Sequence, residues 1–276
     1  MIESLIQAFR SVPVRGKGRL FDRFVPREGT RTVRICGDRS MTLDLGNAIQ
    51  RMIYLGAFSP HIAQVVRSLL APGGTFLDIG ANVGYFSVIA SDRVGPKGRV
   101  IAVEPFPPVC ASLRRHLAGV AFAEVHQIGL GDVDGNLAFH VPPGGQRDYN
   151  VTLTPSPDWP TIELPVRKMD DCLKEWKVGR VDLMKMDVEG AEPRVLRGGA
   201  EALRGGAVRH MIVEVNGHRL TEGGGSPAAL VEQLGGLGFV PARLAGKTAT
   251  PVEAATWDLS PESEYDRLFV HRSALT

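Results

Sequence analysis

The segment Thr75–Ser87, TFLDIGANVGYFS, carries the strongest chemical signal in the chain. An apolar run leads to Asp78, a turn containing Gly80 and Gly84 follows, and helical spacing begins at Tyr85. Glycine lets a backbone bend sharply and lets a ligand approach it closely. In an open α/β sheet, ligands sit beyond the carboxyl ends of the strands, beside such a turn. Free N–H groups at the helix start would favour a ligand carboxylate, and the Asp78 carboxylate would attract a cation. Twenty residues after Gly84, Glu104 ends a second apolar run. A carboxylate there only accepts hydrogen bonds and suits the two hydroxyls of a ribose. A dinucleotide fingerprint reads G-x-G-x-x-G and leaves room for a pyrophosphate. Here the turn is Gly80-Ala81-Asn82-Val83-Gly84 with an acid two positions ahead, which repels a pyrophosphate and suits the ammonium of a methionine moiety. Asp78, Gly80, Ala81, Asn82, Gly84 and Glu104 therefore predict a site for S-adenosylmethionine rather than for a nicotinamide dinucleotide.

Three further runs end in polar groups. Gly129-Leu130-Gly131-Asp132 places an aspartate where it could accept from an adenine amino group, although Asp132-Val133-Asp134-Gly135 is equally good turn chemistry. Lys185-Met186-Asp187-Val188-Glu189-Gly190-Ala191-Glu192 ends a fourth run. Alternation puts Lys185 and Asp187 on one face, and a lysine inside an apolar strand calls for a carboxylate partner. Asp187 and Glu189 can reach the crevice as a base or a cofactor contact, whereas Glu192 reads as a complement to the start of the next helix. Glu214-Val215-Asn216-Gly217-His218 ends the fifth run, and His218 is a natural base near neutral pH. The other histidines, His61, His116, His126, His140, His210 and His271, have no matched partner in the sequence and read as structural or exposed. Serine nucleophile elbows and H-E-x-x-H are absent, which argues against common hydrolases.

The elements that must position these groups follow from periodicity. Thr75–Ile79, Arg99–Glu104, Phe122–Gln127, Val181–Asp187 and Val208–Val215 read as buried strands. Tyr85–Val94, Pro107–Leu117, Glu192–Leu203 and Pro227–Leu234 read as helices. Apolar strands alternating with helices predict an α/β fold, a parallel sheet covered on both faces. Residues 137–166 read instead as short extended pieces between Pro/Gly turns, a β insertion. Gly238–Val240 and Leu268–Val270 read as a final strand pair joined by a loop of more than twenty residues. Ahead of all this, Ile2, Leu5, Ile6 and Phe9 have helical spacing, and residues 10–39 hold nine Arg or Lys against three acids. This basic arm reads as an irregular extension packed on the core, with weak membrane-surface contact as the alternative. The domain expectation is an N-terminal extension over 1–71 and a catalytic domain over 72–276.

Length and composition set bounds on function. The 276 residues, 43% hydrophobic and 22% charged, suit a soluble globular protein. A net charge of +2 gives no overall polyanion-binding character, so no nucleic-acid partner is expected. Cys36, Cys110 and Cys172 form no C-x-x-C, so neither a disulfide framework nor a structural zinc is suggested. No apolar run is long enough to span a membrane and no signal peptide is legible, so a cytoplasmic location is expected.

Taken in order, MTLDLGNAIQRMIYLGAF, FLDIGANVGYFSVIAS, GRVIAVEPFP, QIGLGDVDG, VDLMKMDVEGAEPRVLRGG and MIVEVNG resemble the FkbM family of S-adenosylmethionine-dependent methyltransferases, across roughly residues 33–270. The KMDVEGAE piece is the most diagnostic. The resemblance implies the class I methyltransferase fold, a Rossmann-like sheet of seven mostly parallel strands with an antiparallel final strand. It also implies methyl transfer to a hydroxyl of a sugar, glycan or polyketide-like small molecule. By that likeness Asp78, Gly80, Asn82, Gly84 and Glu104 would hold the cofactor, with Asp132 near adenine and Asp187 near the sulfonium. One departure is Ser59, which follows Tyr54-Leu55-Gly56-Ala57-Phe58 where such proteins often carry an acid.

An alcohol is a poor nucleophile while protonated, so a base or a metal must help. A side-chain base from Asp187, Glu189 or His218 is the first expectation. A Mg²⁺ held by Asp187, Glu214 and Asn216 is the second and less favoured one. The rival functions are a non-catalytic S-adenosylmethionine-binding scaffold and, more weakly, an NAD-dependent oxidoreductase. The insertion at 137–166 and the loop at 242–264 are expected to shape the acceptor pocket, with Tyr149, Asn150 and Trp257 as candidate contacts. The acceptor's identity and the oligomeric state are not legible.

Overall fold

The computed structural model describes residues 22–141, 152, 158–254, 257, 259, 260, 262 and 264–275. The expected helix over Ile2–Phe9 and the candidates Tyr149 and Asn150 lie outside the described residues. The main sheet has eight strands. They are β3 (Thr75–Ile79), β4 (Arg99–Val103), β5 (Ala123–His126), β9 (Val181–Met186), β10 (Val208–Asn216), β11 (Phe239–Ala245), β12 (Thr248–Pro251) and β13 (Glu264–His271). Their order across the sheet is β12-β11-β13-β10-β9-β3-β4-β5. Neighbours from β10 to β5 are parallel, and β13 runs antiparallel to both β10 and β11. The order reverses at β3, which pairs with β4 on one side and β9 on the other. That switch point opens a crevice beyond the carboxyl end of β3.

This is the expected α/β fold with one strand more than the seven anticipated. The chain after β11 turns through Gly246, at φ +64°, and returns as β12. Much of the expected long loop at 242–264 is therefore a hairpin on the sheet edge.

Alternation along the strands divides the core in two. Phe76, Val100, Ala102, Leu183 and Ile212 face one layer, packed with helices α1 (Ala48–Tyr54), α2 (Pro60–Leu69), α3 (Tyr85–Val94) and α4 (Pro107–His116). Leu77, Ile79, Val103, Met184, Met186 and Val213 face the other. That layer holds α5 (Met169–Glu175), α6 (Glu192–Gly198), α7 (Ala200–Arg204), α8 (Gly217–Glu222) and α9 (Pro227–Gly236). Side-chain caps fix several helix starts: Asn47 accepts from the Gln50 amide, Asn216 from Arg219 and Ser226 from Ala229. The single helix expected over Glu192–Leu203 breaks at Gly198-Gly199. A Cβ on Gly198 would lie 1.7 Å from the Gly131 carbonyl oxygen, so close packing on the chain below demands glycine there.

Three strands, β6 (Gly129–Gly131), β7 (Gly135–His140) and β8 (Thr161–Lys168), form a separate sheet in the order β6-β8-β7. The N-terminal hairpin β1 (Thr30–Cys36) and β2 (Arg39–Asp44) had no clear signal in the sequence. Val33, Met41 and Leu43 from it join the same core layer as Phe76 and Val88. Among the described residues no helix is long and apolar enough to cross a membrane.

Candidate active site

At the β3 switch point lies a cavity of roughly 630 Å³. Its floor is the turn after β3, and backbone bonds hold that turn rigidly. The Gly80 and Ala81 amides both donate to the Val103 carbonyl at 3.0 Å. The Asn82 amide donates to Glu104 Oε2 at 3.0 Å, the Val83 amide to Asn82 Oδ1 at 2.7 Å and the Gly84 amide to the Ala81 carbonyl at 2.9 Å. All five turn amides thus have internal partners, so the turn itself offers a ligand no free backbone donor. This also removes the cradle a pyrophosphate would need.

Gly80 stands at φ +73°, and a Cβ there would meet the Asp187 carbonyl oxygen at 1.8 Å. Gly84 does something different. It faces Leu113 rather than the cavity, with a Cβ position 2.5 Å from Leu113 Cδ1. Strained backbone gathers at the site, since Ser59, Asn82 and Glu189 all line the cavity at positive φ.

Glu104 and Asp78 part company. Glu104 lines the cavity at 6% exposure and accepts the Asn82 and Phe106 amides, one on each oxygen. Burial pushes its carboxyl up to about 7, against the pull of those two amides. Asp78 does not line the cavity. Strand alternation sends it with Phe76 toward α3, where Oδ2 accepts from the Ser87 hydroxyl at 2.6 Å and Oδ1 is buried without a partner. Burial raises its carboxyl above the usual range, and the nearby Lys185 and Ser87 hold it back.

Asp132 is likewise outside the cavity. Its two oxygens are taken by Arg194 at 2.9 Å and Arg197 at 2.9 Å, because α6 presents this i, i+3 arginine pair to the end of β6. The wall beside Glu104 is apolar instead, built by Pro105, Ile128, Leu130 and Phe139.

The opposite wall is charged. Lys185, 3% exposed, donates to Asp187 Oδ2 at 2.7 Å, the pairing its place in an apolar strand requires. Burial works against its charge, but Asp187, Asp266 and Asp78 outweigh burial and hold the ammonium above the usual lysine range. Asp187 and Glu189 both line the cavity, and Glu189 Oε2 lies 3.4 Å from Arg219 Nε. Burial and then Asp187 raise the Glu189 carboxyl. Glu214 also lines the cavity, with Oε2 buried and unpartnered. Asp187 first, then burial and Glu189, drive its carboxyl far above the ordinary range. Glu192 lies outside the cavity. It accepts the Val188 and Gly190 amides of its own loop, and burial pushes it up to about 7.

Three further expected residues are elsewhere. Asn216 caps α8 and does not line the cavity, so Asp187 and Glu214 lose the third proposed magnesium ligand. Among the described residues no group of three or more His, Cys, Asp or Glu is arranged to hold a metal. His218, in the first turn of α8, points to solvent with its side chain 76% exposed and Nε2 3.2 Å from Glu222. The helix begins at Gly217, and that turn carries the imidazole away from the crevice. Trp257 stacks edge-on against Phe269 at 5.4 Å, with the Arg267 guanidinium over its ring, and does not line the cavity.

Two further segments supply lining residues. Ile49, Ile53, Phe58, Ser59 and His61 come from α1, α2 and the turn between them, while Glu264, Asp266 and Arg267 come from β13. The first lies in and just after the MTLDLGNAIQRMIYLGAF stretch, although His61 was not singled out there, and β13 carries no local motif. The signal for β13 is its register, which sets Asp266 opposite Glu214.

Taken together, the cavity offers a buried acceptor-only carboxylate beside an apolar slot, with an acidic wall across from it. The donor set suits a nucleoside whose far end is cationic, the chemistry of S-adenosylmethionine. A family model described as the methyltransferase FkbM domain matches residues 78–241. The chain is 30% identical over 207 residues to the AMB antimetabolite synthetase AmbE of Pseudomonas aeruginosa, covering 62% of this chain and 10% of that protein. It is 28% identical over 179 residues to the 2-O-methyltransferase NoeI of Sinorhizobium fredii, covering 58% of this chain and 70% of that one. It is also 28% identical over 176 residues to the 31-O-demethyl-FK506 methyltransferase FkbM of Streptomyces tacrolimicus, covering 53% and 67%. The matched stretch is more than half of the chain and builds the cavity floor and most of its acidic wall, and this protein therefore belongs to the FkbM methyltransferase family.

Proposed function

We propose that the chain is an S-adenosylmethionine-dependent O-methyltransferase whose acceptor is a hydroxyl of a sugar, glycan or polyketide-like small molecule. The observation that carries this reading is Glu104, nearly buried on the cavity wall with one lone-pair direction of each oxygen tied to a backbone amide. So fixed, it is set to accept from two vicinal hydroxyls. The hydroxyl acceptor is supported by the relatives NoeI and FkbM, whose descriptions are O-methyltransferases. Free thiols at Cys36, Cys110 and Cys172 suit the reducing cytoplasmic location proposed here.

S-adenosylmethionine supplies the methyl group already activated on a positively charged sulfur. What remains for the chain is to bind, align and exclude water. Ile128 and Leu130 line an apolar slot that would take a flat base, and Glu104 would hold the ribose hydroxyls. Asp187, Glu189 and Glu214 supply negative potential along the opposite wall. Asp187 and Glu189 each commit an oxygen to a cation, Lys185 and Arg219. That makes them better suited to holding positive charge than to accepting the acceptor's proton.

Calorimetric titration with S-adenosylmethionine and S-adenosylhomocysteine tests the site. Hydroxyls donating to Glu104 favour its ionised form, so a carboxyl near 7 in the free protein must lose a proton on binding. Affinity should therefore rise between pH 6 and pH 8, with net proton release visible as a binding enthalpy that depends on the buffer. Glu104→Gln should weaken binding roughly 10- to 100-fold and remove the pH dependence. Full affinity in that variant would refute the assignment. His218→Gln should leave affinity and methyl incorporation from labelled donor into a cell extract unchanged, because its imidazole faces solvent.

A further inference from the structure

We propose that His61 is the general base that takes the acceptor's proton and that Asp266 positions it, an inference that rests on the methyl-transfer reading above. Both residues line the cavity, and they reach it from segments remote in sequence. Helix α2 starts at Pro60, directly after Ser59 in the left-handed region at φ +34°. That turn presents Phe58, Ser59 and His61 to the cavity. Across from it, β13 sets Asp266 beside Glu214, and His61 Nε2 lies 3.7 Å from Asp266 Oδ2. Asp266 also acts on the buried ammonium of Lys185, which bonds to Asp187. Charge-bearing groups thus alternate along this wall as imidazole, carboxylate, ammonium and carboxylate. Glu264 and Arg267 of β13 line the same cavity.

The arrangement has the logic of a base held by a third group. A carboxylate beside Nε2 favours the tautomer with its proton on that nitrogen, which leaves the Nδ1 lone pair for the incoming hydroxyl. The His61 side chain is 66% exposed, whereas that of Asp266 is only 18% exposed. The hydroxyl oxygen forms the new bond to the methyl carbon. The carbon–sulfur bond breaks with its electron pair left on sulfur, and the hydroxyl proton passes to Nδ1 of His61. The products are a methyl ether, a neutral thioether and an imidazolium that returns its proton to water. An imidazole is the side chain whose basicity best matches this task near neutral pH.

The proposal places the imidazole beside the methyl donor, so it must feel whether that donor carries a charge. The His61 ring proton resonance, assigned by its loss in His61→Gln, would be titrated with saturating S-adenosylmethionine and again with S-adenosylhomocysteine. A unit positive charge within reach of the ring should lower the midpoint by roughly 0.3–1 pH units in the first complex relative to the second. Asp266→Asn should lower label incorporation roughly 10-fold with affinity for S-adenosylhomocysteine kept, and Asp266→Glu should restore it in part. Label incorporation from the methyl donor into a cell extract should fall roughly 100-fold or more in His61→Gln, with affinity for S-adenosylhomocysteine kept. If both ligands bind and the midpoints coincide, the base assignment is overturned while the cofactor site stands. Undiminished labelling by His61→Gln overturns it as well. If neither ligand binds, the methyl-transfer reading fails first and takes this one with it.

Discussion

Lys185→Met should destabilise the protein by about 3–5 kcal/mol at neutral pH, the cost of leaving buried carboxylates without their counter-ion. The ammonium is 3% exposed, bonds Asp187 at 2.7 Å and lies within electrostatic reach of Asp78 and Asp266. Methionine keeps much of the volume, so lost packing contributes little. The pH response separates charge from packing. Lys185 is held above its ordinary range, so its own contribution is present at every pH below about 10.5 and is lost only above it. In the variant, falling pH protonates the stranded carboxylates and relieves the penalty. Denaturant unfolding at pH 7.5 and pH 5.5 should therefore show a gap from the native chain that shrinks in acid. A constant gap would mean that Lys185 acts by packing alone.

The native chain has a related response of its own. Burial holds Glu104 and Glu192 near 7 against an ordinary 4.5. Because the folded state binds these protons more tightly, stability from the two groups is greatest at or below the lower value and declines as pH rises toward 7. The unliganded protein should accordingly gain stability on mild acidification, opposite to the pH trend of its affinity for the cofactor. Glu104 is thus a case of function held at the expense of stability.

Gly80→Ala is the second large effect, expected at about 2–5 kcal/mol with loss of cofactor binding. The residue sits at φ +73°, and its Cβ would fall 1.8 Å from a backbone oxygen of Asp187. Neither side can yield easily. The Gly80 amide is bonded to Val103, and the Asp187 amide to Ile79. Relief requires the β3 and β9 strand ends to separate, which would move Asp187 relative to Glu104 and open the cavity floor. Gly119→Ala is the matched control, since it has φ +79° and nothing within 4 Å of the place its Cβ would take. It should incur only the conformational strain, on the order of 1 kcal/mol. Equal losses in the two variants, by thermal unfolding, would show that close approach of the strands is not what Gly80 serves.

Local order determined much of this protein. The run TFLDIGANVGYFS specified a strand, a tight turn and a helix, and Tyr85–Val94 is helical over the bounds that periodicity set. Glycine, alternation and apolar spacing act over a few residues, so their consequences can be read in any stretch that contains them. Lys185 was legible for the same reason, because a lysine two residues from an aspartate on one strand face has a partner built in.

What the sequence left open depends on neighbours that are distant along the chain. Asp78 turned away from the cavity because alternation from Leu77 and Ile79, both packed on the opposite layer, sends it toward Ser87. Asp132 was claimed by two arginines about sixty positions later, and His218 was swung out by a helix that starts one residue before it. His61 and Asp266 stand about two hundred positions apart, and only the antiparallel pairing of β13 with β10 brings them to the same wall. Sequence alone determined the strand–turn–helix unit and the acidic residues at its rim. Tertiary structure decided which of those acids face the ligand, because facing is a property of packed layers and strand register.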